Sequence, residues 1–180
     1  MSFQFRPLAI PDVLLIEPQV WRDERGFFCE TYREAPFQDQ GIGPFVQENH
    51  SFSRQGVLRG LHYQVRPAGQ AKLITVAAGL IFDVAVDLRP GSATRGQWVG
   101  VNLSDTNPRW LYIPEGFAHG FCVLSPEAHV TYKVSAYYDP ALERGLRWDD
   151  PDLGISWPID APLVSAKDQH LPSMASLNPD

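Results

Sequence analysis

The sequence of 180 residues contains few cysteines and no long apolar segment. Its two cysteines, Cys29 and Cys122, show neither a metal-binding spacing nor a disulfide pattern, so we expect reduced thiols and a cytoplasmic protein. No apolar run approaches the roughly 18 residues of a membrane-spanning helix, so we expect no contact with a membrane. The first 20 residues hold only the short run from Val13 to Ile16, which predicts that no secretory leader is present.

Positive charge is also scarce, since 15 lysines and arginines stand against 21 aspartates and glutamates, a net charge of −6. This balance argues against nucleic acid or an anionic membrane as a partner. Only three of the basic residues are lysines, Lys72, Lys133 and Lys167, and the rest are arginines. Guanidinium groups bind phosphate in a bidentate manner, so the chain can still hold a diphosphate locally. Most of the arginines can equally be surface residues, and composition does not decide between the two.

Turn formers are abundant, with 16 prolines and 14 glycines, and the apolar patterning is strand-like almost throughout. A short helix is predicted at Glu30–Asp39, where Pro36 limits its length. Runs of Val, Ile, Leu and aromatic residues, separated by Gly, Pro or Asn, predict eight strands. These are Val13–Glu17, Val57–Gln64, Lys72–Ala77, Leu80–Leu88, Gln97–Leu103, Trp110–Ile113, Gly120–Leu124 and Val130–Tyr138.

These elements predict one domain over residues 1–180. Many short strands, tight turns and hardly any helix are typical of an all-β sandwich or barrel. The residues Ala77-Ala78-Gly79 lie between two apolar runs and predict a hairpin. The proline-rich tail after Ile155 is expected to wrap over the surface.

Several polar residues interrupt the predicted strands. Alternation along Val57–Gln64 places Arg59 and His62 on opposite faces. Each of the others has an ordinary explanation: a strand-end charge for Lys72, a solvent-facing position for Asp83 and Asp87, and a core position for Tyr132. Together, one His, one Lys, one Asp and one Tyr on separate strands can instead converge inside a small barrel, where barrels hold ligands.

A set of this kind supports proton transfer. The sequence offers neither a nucleophile elbow nor a glycine-rich loop for nucleotide phosphates. The imidazole of His62 can act as a base near neutral pH, and the ammonium group of Lys72 can stabilise an oxyanion. Asp83 would help to keep Lys72 charged, and Tyr132 can return a proton as an acid. These roles suit proton abstraction next to a carbonyl group, followed by reprotonation.

A metal site is the main alternative. The segment from Pro114 to His119 matches the P-x-G-x-x-H element of cupins, which are metal-binding jelly rolls. The other cupin element is H-x-H followed by Glu, whereas this chain has His62-Tyr63-Gln64. We therefore expect a cupin-like jelly-roll barrel with short peripheral helices, no bound metal and no cofactor. His119 is either a buried hydrogen-bonding residue at a turn or a substrate contact.

The sequence resembles the dTDP-4-dehydrorhamnose 3,5-epimerase family over nearly its whole length, from about Ile10 to Pro172. Many short stretches carry the resemblance in the same order along the chain. They are Asp23-Glu24-Arg25-Gly26-Phe27-Phe28, Gln47-Glu48-Asn49-His50-Ser51, Gly56 to Gln64, Gln70-Ala71-Lys72-Leu73, Phe82 to Arg89, Ile113 to Phe121, Trp148-Asp149-Asp150-Pro151 and Ser165-Ala166-Lys167-Asp168.

The resemblance implies an enzyme that inverts C3 and C5 of dTDP-4-dehydro-6-deoxy-D-glucose, on either side of the C4 ketone. It implies that His62 is the base, that Asp168 fixes its tautomer, that Lys72 lies beside the C4 oxygen and that Tyr132 is the acid. It further implies diphosphate contacts from Arg25 and Arg59, nucleotide or phosphate contacts from Gln47 and Asn49, and a sugar site lined by His119 and Asp83. Asp168 as a catalytic residue comes from the resemblance alone.

Members of the family are homodimers that exchange N-terminal strands, so the resemblance implies that Arg25 serves the neighbouring subunit. Trp21 departs from the family pattern, which commonly has phenylalanine and a small residue where this chain has Trp21-Arg22. The larger aromatic group would change how the thymine base stacks, and we include Trp21 and Phe28 among the expected substrate contacts.

Three alternatives stay open at this point. A relative that epimerises only C3 or only C5 of a related dTDP-4-keto-deoxysugar can keep the same base and acid. An inactive carbohydrate-binding jelly roll is disfavoured by the full set of base, cation and acid. A metal-dependent cupin oxygenase or isomerase requires a metal that the histidine pattern does not support.

Overall fold

The computed structural model describes residues 2–177, which form mainly short β-strands. Two short α-helices, α1 (Glu34–Gln38) and α2 (Ala166–Gln169), and a single 3₁₀ turn at Met174–Ser176 lie between or after them. The strands are β1 Phe3–Pro7, β2 Leu14–Pro18, β3 Val20–Asp23, β4 Gly26–Cys29, β5 Gln47–Arg54, β6 Val57–Gln64, β7 Lys72–Ala78, β8 Leu80–Asp87, β9 Trp98–Ser104, β10 Trp110–Ile113, β11 Phe117–Val123, β12 Glu127–Val134, β13 Glu143–Gly145 and β14 Leu163–Val164.

The strands form two large sheets and a separate hairpin. One sheet has the order β1-β2-β10-β7-β12-β5, and the other has the order β13-β6-β11-β8-β9 with β14 added in parallel to β6. The main apolar cluster takes buried side chains from both sheets, among them Ile74 and Val130 from the first and Ala85 and Phe121 from the second. Two sheets closed around one core make a jelly-roll barrel, so the predicted all-β fold class is confirmed.

The predicted strands agree with the structure to within a few residues where the apolar pattern is strong. The predicted bounds of β6 and β10 are those observed. The observed helix, Glu34–Gln38, is shorter than the predicted helix, Glu30–Asp39. Strand β11 begins at Phe117 rather than at Gly120, and β12 ends at Val134 rather than at Tyr138.

The predicted hairpin at Ala77-Ala78-Gly79 is wrong. Strand β7 pairs with β10 and β12, whereas β8 pairs with β9 and β11, so the chain turns a corner from one sheet to the other. Gly79 makes this corner possible with a φ of +91°, and a Cβ there would lie 2.2 Å from the carbonyl oxygen of Glu127. Its N–H donates to Oδ2 of Asp105 at 3.1 Å.

A β-bulge in β6 shapes the site. On β11, His119 lies opposite His62 and Phe121 lies opposite Arg59, so the single residue Gly120 faces two residues of β6. The extra residue shifts the alternation of side chains by one position. Arg59 and His62 therefore line the same cavity, and the prediction that they lie on opposite faces is wrong.

The C-terminal tail contributes to the barrel rather than only wrapping over it. Strand β14 pairs with the start of β6, and helix α2 follows directly. Ser165 caps α2 by accepting a hydrogen bond from the backbone N–H of Asp168 at 3.1 Å. This cap fixes Asp168, whose side chain is buried, against β6. Among residues 2–177, no helix has the length and apolar character needed to cross a bilayer.

Candidate active site

Two adjoining cavities open between the sheets, with volumes of about 560 and 410 Å³. They share three lining residues, His62 from β6, Lys72 from β7 and Tyr132 from β12. The larger cavity also contains Arg59, His119 and Asp168, and the smaller one contains Gln47 and Asn49. The structure thus brings the predicted base, cation and acid to one place, where the two cavities meet.

His62 and Asp168 form a hydrogen-bonded pair, with 2.7 Å between Nε2 and Oδ1. The second carboxylate oxygen of Asp168 accepts the backbone N–H of Gly60 at 3.2 Å. Burial raises the pKa of Asp168, but these hydrogen bonds outweigh it and hold the pKa below its ordinary value. The carboxylate is therefore ionised at neutral pH and can only accept a hydrogen bond from Nε2–H of His62, so in the neutral form of this imidazole the lone pair lies on Nδ1.

Lys72 is almost completely buried, and its ammonium group donates to the backbone carbonyl of His62 at 3.2 Å. Burial lowers the pKa of Lys72 to about 8, against the pull of the negative charges on Asp83 and Glu143. Asp83 acts in the predicted direction, but the effect of burial is larger. Lys72 is still mostly protonated at neutral pH and provides a cation inside the barrel.

A second pair lies beside the first, where Nε2 of His119 is 3.0 Å from both carboxylate oxygens of Asp83. Burial lowers the pKa of His119, and the charge of Asp83 only partly offsets this, so the imidazole is neutral at neutral pH. His119 is buried and hydrogen-bonded, as the first of the two alternatives for it stated, but it lies within the central strand β11 rather than at a turn. Asp83 and Asp87 are fully buried, which also rules out the solvent-facing positions suggested for them.

Polar groups of β5 lie beside Tyr132. Asn49 is the partner of Tyr132 in the strand register. Nε2 of Gln47 donates to Oδ1 of Asn49 at 2.9 Å, and Oε1 of Gln47 accepts the backbone N–H of Tyr138 at 3.0 Å. Burial raises the pKa of Tyr132, and Arg59 and Asn49 offset this only in part, so the phenol keeps its proton at neutral pH.

Arg59 brings a positive charge to the larger cavity. Its Nε donates to Oγ of Ser53 at 2.9 Å, and its Nη2 donates to the carbonyl oxygen of Phe52 at 3.1 Å. Among residues 2–177, no aspartate or glutamate forms an ion pair with this guanidinium group. Two anchors without a counter-charge leave Arg59 oriented and ready to bind an anion.

Three predicted substrate contacts lie outside both cavities. Trp21, Arg25 and Phe28 belong to the separate β3–β4 hairpin, and their side chains are largely exposed. The Trp21 and Phe28 rings lie 5.9 Å apart, and Arg25 pairs with Asp23 of the same hairpin. Within one chain, the structure therefore does not bring these three residues to the other site residues.

Sequence reasoning missed a polar group at the rim of the cavities. Oε2 of Glu143 accepts hydrogen bonds from Oη of Tyr138 at 2.8 Å and from Nζ of Lys167 at 2.5 Å. Lys167 lines the larger cavity, while Tyr138 and Glu143 line the smaller one. Of these three residues, only Lys167 had a signal in the sequence, its position directly before Asp168. Tyr138 lies in an irregular segment and Glu143 in a strand of three residues, so no periodic pattern marks them.

The cupin metal position is occupied by a structural residue. Gln64, at the place of the second histidine, is buried and donates to the carbonyl oxygens of Ala68 and Tyr137. Its Oε1 accepts the backbone N–H of Asp139 at 2.9 Å. Within residues 2–177, no three His, Cys, Asp or Glu side chains are grouped as metal ligands. The donor set of this barrel therefore suits proton transfer better than metal binding.

The jelly roll, with an imidazole, an ammonium and a phenol group lining its cavities, defines a class of protein, the cupin-like acid–base enzymes. A family model described as dTDP-4-dehydrorhamnose 3,5-epimerase matches residues 7–176. The chain belongs to this family, which confirms the resemblance and the cupin-like jelly roll.

Three relatives illustrate the similarity. The dTDP-4-dehydrorhamnose 3,5-epimerase of Shigella flexneri is 55% identical over 162 residues, covering 88% of this chain and 89% of the relative. The crystal structure of dTDP-6-deoxy-D-glucose-3,5-epimerase from Legionella pneumophila Philadelphia 1, in complex with dTDP-4-keto-L-rhamnose, has a TM-score of 0.94 at 45% identity and covers 98% of this chain and 95% of that chain. A dTDP-4-dehydrorhamnose 3-epimerase of Streptomyces niveus is 45% identical, covering 92% of this chain and 81% of the relative.

Proposed function

We propose that this protein is a dTDP-4-dehydrorhamnose 3,5-epimerase, which converts dTDP-4-dehydro-6-deoxy-D-glucose into dTDP-4-dehydro-L-rhamnose. The observation that carries the proposal is the meeting of His62, Lys72 and Tyr132 where the two cavities adjoin. Membership of the family and the ligand in the Legionella pneumophila structure support the choice of substrate.

The reaction requires a base, a cation and an acid in turn. Nδ1 of His62 takes the proton from the carbon next to the ketone, and Asp168 stabilises the imidazolium that forms. The electron pair of the broken C–H bond moves to the C4 oxygen, where the ammonium group of Lys72 stabilises the enolate. The enolate then returns its electron pair to the carbon, which takes the proton of the Tyr132 phenol on the opposite face. The imidazolium of His62 releases its proton to water and the phenolate of Tyr132 takes one from water, which restores both groups. The net change is inversion at this carbon, and repetition on the other side of C4 gives the second inversion.

Substrate contacts surround this centre. Arg59 binds the diphosphate, because its guanidinium group is oriented by β5 and lacks an acidic partner within residues 2–177. Gln47 and Asn49 contact the nucleotide or its phosphates from the smaller cavity. His119, oriented by Asp83, contacts the sugar from the wall of the larger cavity.

The active form is a homodimer in which the β3–β4 hairpin of each subunit completes the neighbour's site. The hairpin belongs to neither large sheet and exposes about half or more of Trp21, Phe27 and Phe28. Aromatic groups exposed together are typical of an interface rather than of free surface. The exchange would bring Arg25, Trp21 and Phe28 to a nucleotide in the partner's cavity.

The protein acts in the cytoplasm. Its two free thiols, Cys29 and Cys122, support a reducing compartment.

Deuterium incorporation from D₂O tests the reaction directly. The protein is incubated with dTDP-4-dehydro-6-deoxy-D-glucose in D₂O, and the label is located by NMR. Deuterium at both C3 and C5 is the expected result, and its absence from both would overturn the proposal. Label at C3 or C5 alone would instead select the one-carbon epimerase, an alternative that the Streptomyces niveus relative keeps relevant for C3. His62→Ala should abolish the exchange.

A further inference from the structure

The largest of the cavities described lies away from the proton-transfer residues. Its volume is about 790 Å³, and its wall includes the end of β6, the loop after β8 and part of β13. Neither His62, Lys72 nor Tyr132 lines it, although Tyr63 and Gln64 line both this cavity and the smaller site cavity. The proposed epimerase reaction makes no use of this space.

The residues that line this cavity include four arginines and a single acidic residue, Glu115. Arg89 is already neutralised, with ion pairs to Asp87 at 2.8 Å and to Asp12 at 2.9 Å. The other three arginines, Arg66, Arg95 and Arg144, form no ion pair with any acidic side chain of residues 2–177. A third of the chain's 12 arginines therefore gather around one cavity of an acidic protein.

Backbone carbonyls, rather than carboxylates, hold two of these groups. Arg95 donates to the carbonyl oxygen of Leu88. Nη1 of Arg144 donates to the carbonyl oxygens of Ala141 and Glu143, and both of these distances are 2.9 Å. A carbonyl oxygen orients a guanidinium group without cancelling its charge, so these side chains keep a positive charge that a bound anion would balance. Planar guanidinium groups bind phosphate oxygens in pairs.

The remaining wall indicates what the anion is attached to. Tyr63, Leu88, Leu142 and Leu177 provide apolar surface, and Glu115 provides an acceptor for a hydroxyl group. A bare polyphosphate would be repelled by Glu115, whereas a sugar hydroxyl could donate to it. A volume of this size admits a nucleotide. We propose that this cavity is a second binding site, separate from the active site, for a small molecule with a diphosphate group and a nucleoside or sugar.

Calorimetric titration with dTDP as the probe tests this site. The wild-type protein should bind two dTDP molecules per chain, one in the active site and one here. The triple variant Arg66→Gln/Arg95→Gln/Arg144→Gln should keep the first and weaken the second, by roughly tenfold for each guanidinium group lost. A charge-matched control, Arg6→Gln/Arg54→Gln/Arg147→Gln, removes three exposed arginines elsewhere and should still bind two.

Two further measurements keep the test decisive. If the triple variant unfolds at a lower temperature than the control, the double variant Arg66→Gln/Arg144→Gln replaces it, since both side chains are exposed. Arg59→Ala should weaken only the active-site event and leave the second event intact. Binding of one dTDP per chain by the wild type, or equal second-site affinity in the triple variant and its control, would overturn the proposal. Neither result depends on turnover, so failure here is distinct from failure of the epimerase assignment.

Discussion

The carboxylate of Asp168 contacts His62 with one oxygen, at 2.7 Å from Nε2, and the backbone N–H of Gly60 with the other, at 3.2 Å. The side chain of Asp168 thus fixes both the proposed base and the bulge beside it, which directs this base toward the cavity. The two residues of the pair lie 106 positions apart in the sequence, and the contact exists because β14 and α2 pack against β6.

Replacement of this carboxylate by an amide should therefore impair catalysis more than folding. In Asp168→Asn, the side chain has nearly the same shape but neither selects the Nε2–H tautomer of His62 nor stabilises its imidazolium form. We expect the rate of deuterium exchange into substrate to fall by about 10²- to 10⁴-fold, the usual contribution of a general base. Asp160→Asn is the matched control, because Asp160 is exposed. An unchanged exchange rate in Asp168→Asn would show that His62 acts without its partner.

The buried ammonium group of Lys72 should set the alkaline limit of activity. Its pKa of about 8 lies below the ordinary lysine value because burial disfavours the charged form. If the charged form stabilises the enolate, kcat/KM must be high below pH 8 and fall about tenfold per pH unit above it. In Lys72→Arg, whose guanidinium group stays charged, this alkaline limb should move to higher pH whatever the absolute rate. A limb that stays near pH 8 in Lys72→Arg would assign the titration to another group.

Loss of the phenol at Tyr132 should separate proton removal from inversion. In Tyr132→Phe, His62 can still remove the proton and return a deuteron to the same face, so label should enter substrate without a matching yield of epimer. We expect the ratio of exchange to epimerisation, measured by NMR in D₂O, to rise by about 10²- to 10⁴-fold, the usual contribution of a general acid. Tyr137→Phe provides a control, because Tyr137 is 70% exposed. If Tyr132→Phe slows exchange and inversion equally, Tyr132 is not the acid.

The pattern of apolar residues in the sequence predicts the apolar strands well and the polar strands poorly. Strand β5 shows the reason. Its inward residues, Gln47, Asn49, Ser51 and Ser53, are polar, and those from Gln47 to Ser51 line the cavities rather than the apolar core. A strand that faces a ligand site has no apolar alternation to detect, so β5 was missed.

The sequence pattern fails to place Arg59 and Asp168 in the site for a different reason. Strict alternation separates Arg59 from His62, and only the pairing of β6 with β11 reveals the bulge that reunites them. Asp168 lies in a polar tail whose packing depends on contacts distant in sequence. By contrast, His62, Lys72 and Tyr132 were found because each interrupts a strong apolar strand pattern. A functional residue inside a barrel can be predicted where it interrupts an apolar strand pattern. It cannot be predicted where the whole inward face of a strand is polar.

Mixed dimers should show whether the β3–β4 hairpin serves the neighbouring subunit. Arg25→Ala and His62→Ala are each expected to be nearly inactive alone. In a dimer of one subunit of each kind, exchanged hairpins give one site with both defects and one site with neither. Random mixing makes half of the dimers of this kind, so the mixture should regain about a quarter of wild-type activity. Mixing after subunit dissociation and reassociation, followed by the exchange assay, measures this recovery. If Arg25 acted on its own chain, every site in every dimer would carry a defect, and mixing would restore nothing.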